Sequence, residues 1–139
     1  MVFMCVIPNK VKNMEDKKTI LLVEDDVFVT DIYNKKLNQE GYEVRVSANG
    51  LEAIKILEET TPDLVLLDIM MPYMDGREVL KKMKENKVWS EIPVILLTNL
   101  SEKEEIIKGM KEGADQYLIK SHFTPSEVVE KIKSVLGEK

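Results

Sequence analysis

Five times along the chain, a short apolar run is followed by a longer stretch with helical spacing. The runs are Thr19–Val23, Tyr42–Val46, Asp63–Leu67, Pro93–Leu97 and Gln116–Ile119. Each is too short for an ordinary helix, and Leu64–Leu67 and Val94–Leu97 are apolar at every position. Apolar residues without alternation suit strands covered on both faces, as in a parallel sheet. The intervening stretches carry apolar residues three and four apart. Val29, Ile32, Tyr33 and Leu37 predict a helix over Val27–Glu40, and Ala53, Ile54 and Leu57 one over Leu51–Glu59. Val79, Leu80 and Met83 predict one over Arg77–Asn86. Ile106, Ile107 and Met110 do so for Glu102–Glu112, and Val128, Val129, Ile132 and Leu136 for Ser126–Leu136.

Chemical start and stop signals frame these helices. Asn49-x-x-Glu52, Asp75-x-x-Glu78, Ser101-x-x-Glu104 and Thr124-x-x-Glu127 match the capping box or a close variant. Pro125 falls at a first helical position, where its missing N–H costs nothing. Gly41 and Gly113 follow the first and fourth helices, where a left-handed residue often ends a helix. Five strand–helix units with right-handed crossovers predict a three-layer α/β sandwich of the (βα)5 kind.

Composition narrows the function classes. The length, 139 residues, fits one domain. The net charge of −5 offers no positive field for holding nucleic-acid phosphates. One cysteine, Cys5, and one histidine, His122, exclude a Cys/His zinc site and an intrachain disulfide. A metal would therefore be held by oxygen. The longest apolar runs fall far short of the roughly 20 residues that span a bilayer. Met1–Ile7 is apolar, but no basic segment precedes it and no cleavage site follows, which argues against a signal peptide. Residues 1–17 are expected to form a flexible extension, with Met14 an alternative start, and residues 18–139 the domain.

In open α/β sheets, ligands sit beyond the carboxyl ends of the strands, near the switch in strand order. Glu24, Asp25 and Asp26 follow the first run, Asp68 the third, Thr98 the fourth and Lys120 the fifth. With strand order 2-1-3-4-5, these tips share one crevice. Crowded carboxylates repel unless a cation intervenes, and Mg²⁺ takes oxygen ligands. A carboxylate can also attack phosphorus and form an aspartyl phosphate. Lys120 would neutralise the transferring group, and Thr98 would donate to one of its oxygens.

Taken singly, each residue has a plainer reading. Thr98 suits a strand as a β-branched residue, Lys120 a surface and Tyr117 a half-buried wall. Glu24-Asp25-Asp26 reads equally as a solvated loop that begins a helix. Met70, Met71 and Met74 read as flexible packing, Trp89 as a loop anchor, His122 as loop decoration and Cys5 as inert. Joint placement at strand tips favours the chemical reading.

The runs Ile20-Leu-Leu-Val-Glu-Asp-Asp26, Leu66-Leu-Asp-Ile-Met-Met-Pro72 with Asp75-Gly76, Val94-Ile-Leu-Leu-Thr98, Gly113-Ala-Asp115 and Tyr117-Leu-Ile-Lys120 resemble the receiver domains of two-component response regulators. The resemblance covers about residues 18–137. It implies a flavodoxin-like fold and phosphotransfer from a histidine kinase or phosphotransfer protein to Asp68. It implies Mg²⁺ on Glu24, Asp25, Asp68 and the Met70 carbonyl, with Mn²⁺ or Ca²⁺ as substitutes in a crystal. Thr98 and Tyr117 would form a switch pair that alters the surface of helix four, strand five and helix five, read by a partner or a homodimer. A cytoplasmic protein is implied, without membrane insertion, nucleic-acid binding or turnover of an external substrate.

The chain departs from the family pattern at three places. Ser121 stands where proline is usual after the lysine. Asn99 stands where a small residue is usual and would narrow the path to the phosphoryl group. Met70 and Leu100, at the positions that flank the hydrolytic water, are apolar and cannot orient it. Slow self-dephosphorylation is expected. Three rivals are weighed against this reading. A haloacid-dehalogenase-like hydrolase would carry a second Asp at position 70. An FMN binder would carry a phosphate-cradling loop after strand one. A docking-only pseudo-receiver would lack the acidic set.

Overall fold

The computed structural model describes residues 17–138. The expectations for residues 1–16, including the extension, Cys5 and a start at Met14, lie outside the described residues. Five strands alternate with five helices: β1 Thr19–Val23, α1 Val27–Gln39, β2 Glu43–Ser47, α2 Gly50–Glu59, β3 Leu64–Leu67, α3 Gly76–Glu85, β4 Val94–Thr98, α4 Lys103–Lys111, β5 Gln116–Ile119 and α5 Pro125–Leu136. All strand pairs are parallel, in the order β2-β1-β3-β4-β5. The parallel α/β architecture expected from the alternation, and the flavodoxin-like strand order implied by the resemblance, are the ones found.

Side chains on a strand point alternately to opposite faces, and here both faces are buried. Leu21, Val23, Val65, Leu67, Val94 and Leu96 join Ala53 and Leu57 of α2 and Val79, Leu80 and Met83 of α3. Ile20, Leu22, Leu64, Leu66, Ile95, Leu97 and Leu118 meet Tyr33 and Leu37 of α1 and Val128, Val129 and Ile132 of α5. Each fully buried aliphatic side chain contributes roughly 1.5–3 kcal/mol. This explains why the central runs lack polar alternation.

The caps follow the chemistry with one exception. Asn49 accepts from the Glu52 N–H, and Asp75 from the Glu78 N–H. Thr124 and Glu127 form the reciprocal box, with Pro125 opening α5. Asp26 begins α1 by accepting from Phe28 and Val29. Ser101, by contrast, does not cap α4. That helix begins one residue later, where the Glu102 carbonyl takes the first helical N–H groups, and no side chain caps it.

The second strand also starts one residue later than its apolar run. Gly41 turns left-handed at φ +94°, so the Tyr42 N–H bonds back to Leu37 and cannot enter the ladder. Gly113 makes the same left-handed turn after α4, at φ +109°. Beyond β5, Lys120–His122 winds as a 3-10 turn in which His122 is exposed. The Lys120–Ser121 bond is trans, and no cis peptide bond occurs among the described residues.

Candidate phosphoacceptor and metal site

The register brings the tips together. Val23 pairs with Leu67, Leu67 with Leu96, and Thr98 with Ile119. The next residues of β1, β3 and β5 are therefore Glu24, Asp68 and Lys120. Backbone bonds hold these tips in place: the Asp68 N–H donates to the Val23 carbonyl and the Glu24 N–H to that of Ser47, at 3.0 and 2.9 Å.

Glu24 and Asp68 are buried, while Asp25 is exposed at the mouth. Carboxylate oxygens of all three lie within 4.8 Å of one another. The Lys120 ammonium bridges two of them, donating to Glu24 Oε1 at 2.7 Å and Asp68 Oδ2 at 3.0 Å. The other Asp68 oxygen accepts from the Ile69 N–H at 2.7 Å. Three carboxylates less one ammonium leave two negative charges. The donor set thus fits a divalent ion in both charge and hardness. Asp26 is not part of the cluster, since its side chain is engaged as the α1 cap.

Electrostatics match this crowding. Burial pushes the Glu24 carboxyl up, against the hydrogen bond from Lys120, and the nearby Asp68 charge adds to the rise. Burial alone would push Lys120 down, but its bonds to Glu24 and Asp68 carry it up, so it stays cationic. Tyr33, packed in the core below, is pushed up to about 12 by burial.

Thr98 is fully buried at the end of β4, and its hydroxyl accepts from the Leu100 N–H at 3.3 Å. Tyr117 is half-buried, and its hydroxyl donates to the Leu100 carbonyl at 2.7 Å. The side chains of Thr98 and Tyr117, the expected switch pair, therefore meet at one residue of the β4–α4 loop. Met70 is 61% exposed beside the site, Leu100 is half-buried and Asn99 is exposed. Trp89 is half-buried against the core, with its backbone N–H donating to the Asn86 side chain, as expected of a loop anchor.

Two contributors were not singled out from the sequence. Gly76 opens α3 directly against the start of the β3–α3 loop: a Cβ there would lie 2.1 Å from the Asp68 carbonyl oxygen. The Asp75-Gly76 pair was the available signal. Arg77, the next residue, reaches α4 and binds Glu105 and Glu112. No local pattern announces it.

The fold and the lysine-bridged acidic cluster define a flavodoxin-like domain with three carboxylates at a strand-tip crevice that could hold a metal ion. The chain belongs to the response regulator receiver domain family, whose model matches residues 20–133. A probable transcriptional regulator, ycf27, from Cyanophora paradoxa is 40% identical over 121 residues, covering 87% of this chain and 49% of that protein. The chain thus spans about half the length of the curated relatives it matches. A response regulator structure from Chloroflexus aurantiacus is 32% identical, with a TM-score of 0.82 over 88% of this chain and 99% of that one. The receiver domain of sensor histidine kinase PA1611 from Pseudomonas aeruginosa, solved with magnesium in its active-site cleft, is 25% identical. Its TM-score is 0.80, over 88% of this chain and 99% of that one. Among the described residues, no helix is long and apolar enough to cross a membrane.

Proposed function

We propose that Asp68 accepts a phosphoryl group from a phosphohistidine of a histidine kinase or phosphotransfer protein. The observation that carries this reading is the meeting of Glu24, Asp25, Asp68 and Lys120 at three strand tips. An Asp68 oxygen attacks phosphorus as the P–N bond of the donor breaks, leaving an aspartyl phosphate and a neutral imidazole. Glu24, Asp25, Asp68 and the Met70 carbonyl would hold Mg²⁺, which when bound supplies positive charge for the phosphoryl oxygens. Lys120 shifts from bridging carboxylates to contacting the new phosphoryl oxygens. Thr98 gives up its bond from Leu100 N–H and donates to another oxygen.

The resulting movement of the β4–α4 loop reaches Tyr117 through Leu100. It changes the α4–β5–α5 surface, which a target protein or a second copy then reads. The proposed receiver spans residues 18–139, in a cytoplasmic protein whose only turnover is of its own phosphoryl group. Acetyl phosphate with Mg²⁺ is expected to add one phosphoryl mass to the wild type and none to Asp68→Asn. Chelation should abolish the labelling. Labelling that persists in Asp68→Asn, or without divalent ions, rejects the proposal.

Met70 and Leu100 offer no hydrogen bond to an attacking water, so the label should persist well beyond seconds. Met70→Asn should shorten its life. A wild-type lifetime of seconds, unchanged by that substitution, would reject the link to these side chains.

A further inference from the structure

Helix α4 is held in place by different means from the other helices. Gly109 is its only buried residue, and no side chain caps its N-terminus. A cleft of about 450 Å³, lined by Met70, Met71, Leu100, Arg77 and Glu105 among others, separates the β3–α3 loop from α4. One side chain spans that gap. Arg77 Nη1 donates to Glu112 Oε1 at 2.7 Å, and Nη2 donates to the Glu105 carboxylate and, at 3.1 Å, to the Glu105 backbone carbonyl. Glu105 lies in the first turn of α4 and Glu112 is its C-cap. A single guanidinium therefore grips the helix at both ends.

Arg77 itself is 15% exposed, so water screens these pairs less than it would on an open surface. Its own position is fixed. Gly76 donates to the Ile69 carbonyl at 2.8 Å and lies against the Asp68 backbone. The tie thus runs from the phosphoacceptor loop, through one residue of α3, to the helix that must move if the surface is to switch.

We propose that Arg77, with Glu105 and Glu112, is a latch that holds α4 in its unphosphorylated position and so opposes phosphorylation of Asp68. This deepens the receiver reading and rests on it. Any contact made only in the resting arrangement lowers the occupancy of the phosphorylated one, in proportion to its own strength. Arg77 acts here as a positioning residue, since it touches neither Asp68 nor the reacting atoms. A lysine cannot replace it fully, because one ammonium lacks the fork needed to reach both carboxylates and the carbonyl.

The test compares full-length wild type, Arg77→Gln, Arg77→Lys, Glu105→Gln and the Arg77→Gln/Glu105→Gln double variant. Hydrogen exchange of unphosphorylated protein is measured first, then labelling at sub-saturating acetyl phosphate with Mg²⁺. Arg77→Gln should speed exchange in Lys103–Lys111 by about tenfold while leaving Pro125–Leu136 unchanged. It should raise the labelled fraction about threefold, with Arg77→Lys intermediate. Glu105→Gln should act in the same direction, and the double variant should add little to Arg77→Gln. Unchanged α4 exchange in Arg77→Gln, equal acceleration in α4 and α5, or unchanged or lower labelling overturns the latch. A wild type that takes no phosphoryl group at all overturns the receiver chemistry instead, and the latch's opposition to phosphorylation with it.

Discussion

Helices α3 and α4 lie on the same side of the sheet, yet they are built on opposite principles. α3 buries Val79, Leu80 and Met83, is capped by Asp75, and opens on a glycine pressed against the Asp68 backbone. α4 buries only Gly109, has no side-chain cap, and is gripped by charge. Burying three aliphatic side chains contributes on the order of 5–9 kcal/mol to holding α3. α4 has nothing comparable. Under the proposed receiver chemistry, a helix that scaffolds Asp68 must not move, whereas one that reports its state must move cheaply. The uneven distribution of apolar contact meets both needs within one layer.

The sharpest attempt to break this contrast is Gly76→Ala. The added Cβ meets the Asp68 backbone at 2.1 Å, and no flexible side chain is there to yield. A loss of about 3 kcal/mol or more is expected in urea denaturation, together with impaired labelling of Asp68. A variant as stable as wild type would mean that α3 is not fixed to the site.

Hydrogen exchange separates the two helices without any substitution. The most protected amides of α3 should open about 100-fold less often than those of α4. Equal protection would remove the distinction altogether.

The caps provide a matched pair of smaller effects. Asp75→Ala should cost about 1 kcal/mol, because the Glu78 N–H loses its partner. Glu102→Ala should cost less than about 0.3 kcal/mol, since the Glu102 side chain caps nothing. Reversal of that order in thermal melts would show that the start of α4 is held by side chains after all.

Gly109→Ala sets two opposed effects against each other, so its expected cost is below that of the Asp75 cap. Its Cβ would lie 2.9 Å from Leu96 Cδ1 and 3.0 Å from Tyr117 Cδ2. Better helix propensity, worth about 1 kcal/mol, opposes that crowding. A net loss of about 0.5 kcal/mol is expected, with the tyrosine ring displaced and its ring NMR signals shifted. A net gain with unmoved tyrosine signals would place more room under α4 than these contacts allow.

Strand and helix identities were legible because apolar runs and caps act over a few residues. Leu64–Leu67 and Val94–Leu97 need no partner to be read as doubly covered strands. The tip residues were legible for the same reason: Glu24, Asp68 and Lys120 each directly follow a strand. The misplacements were local competitions that spacing alone cannot settle. Ser101 was the expected cap of α4, but the helix begins one residue later, on the Glu102 backbone. Tyr42 looked like strand, but the left-handed turn at Gly41 claimed its N–H.

From the order of its residues alone, this protein is committed to five βα units with carboxylates, a hydroxyl and an ammonium at their ends, since short-range periodicity and capping chemistry decide those features. Only the folded chain decides that Lys120 bridges Glu24 and Asp68, and that Arg77 clasps partners 28 and 35 positions away. Such pairings depend on strand register and on the gap between two helices, distances in space that neighbours in sequence do not encode.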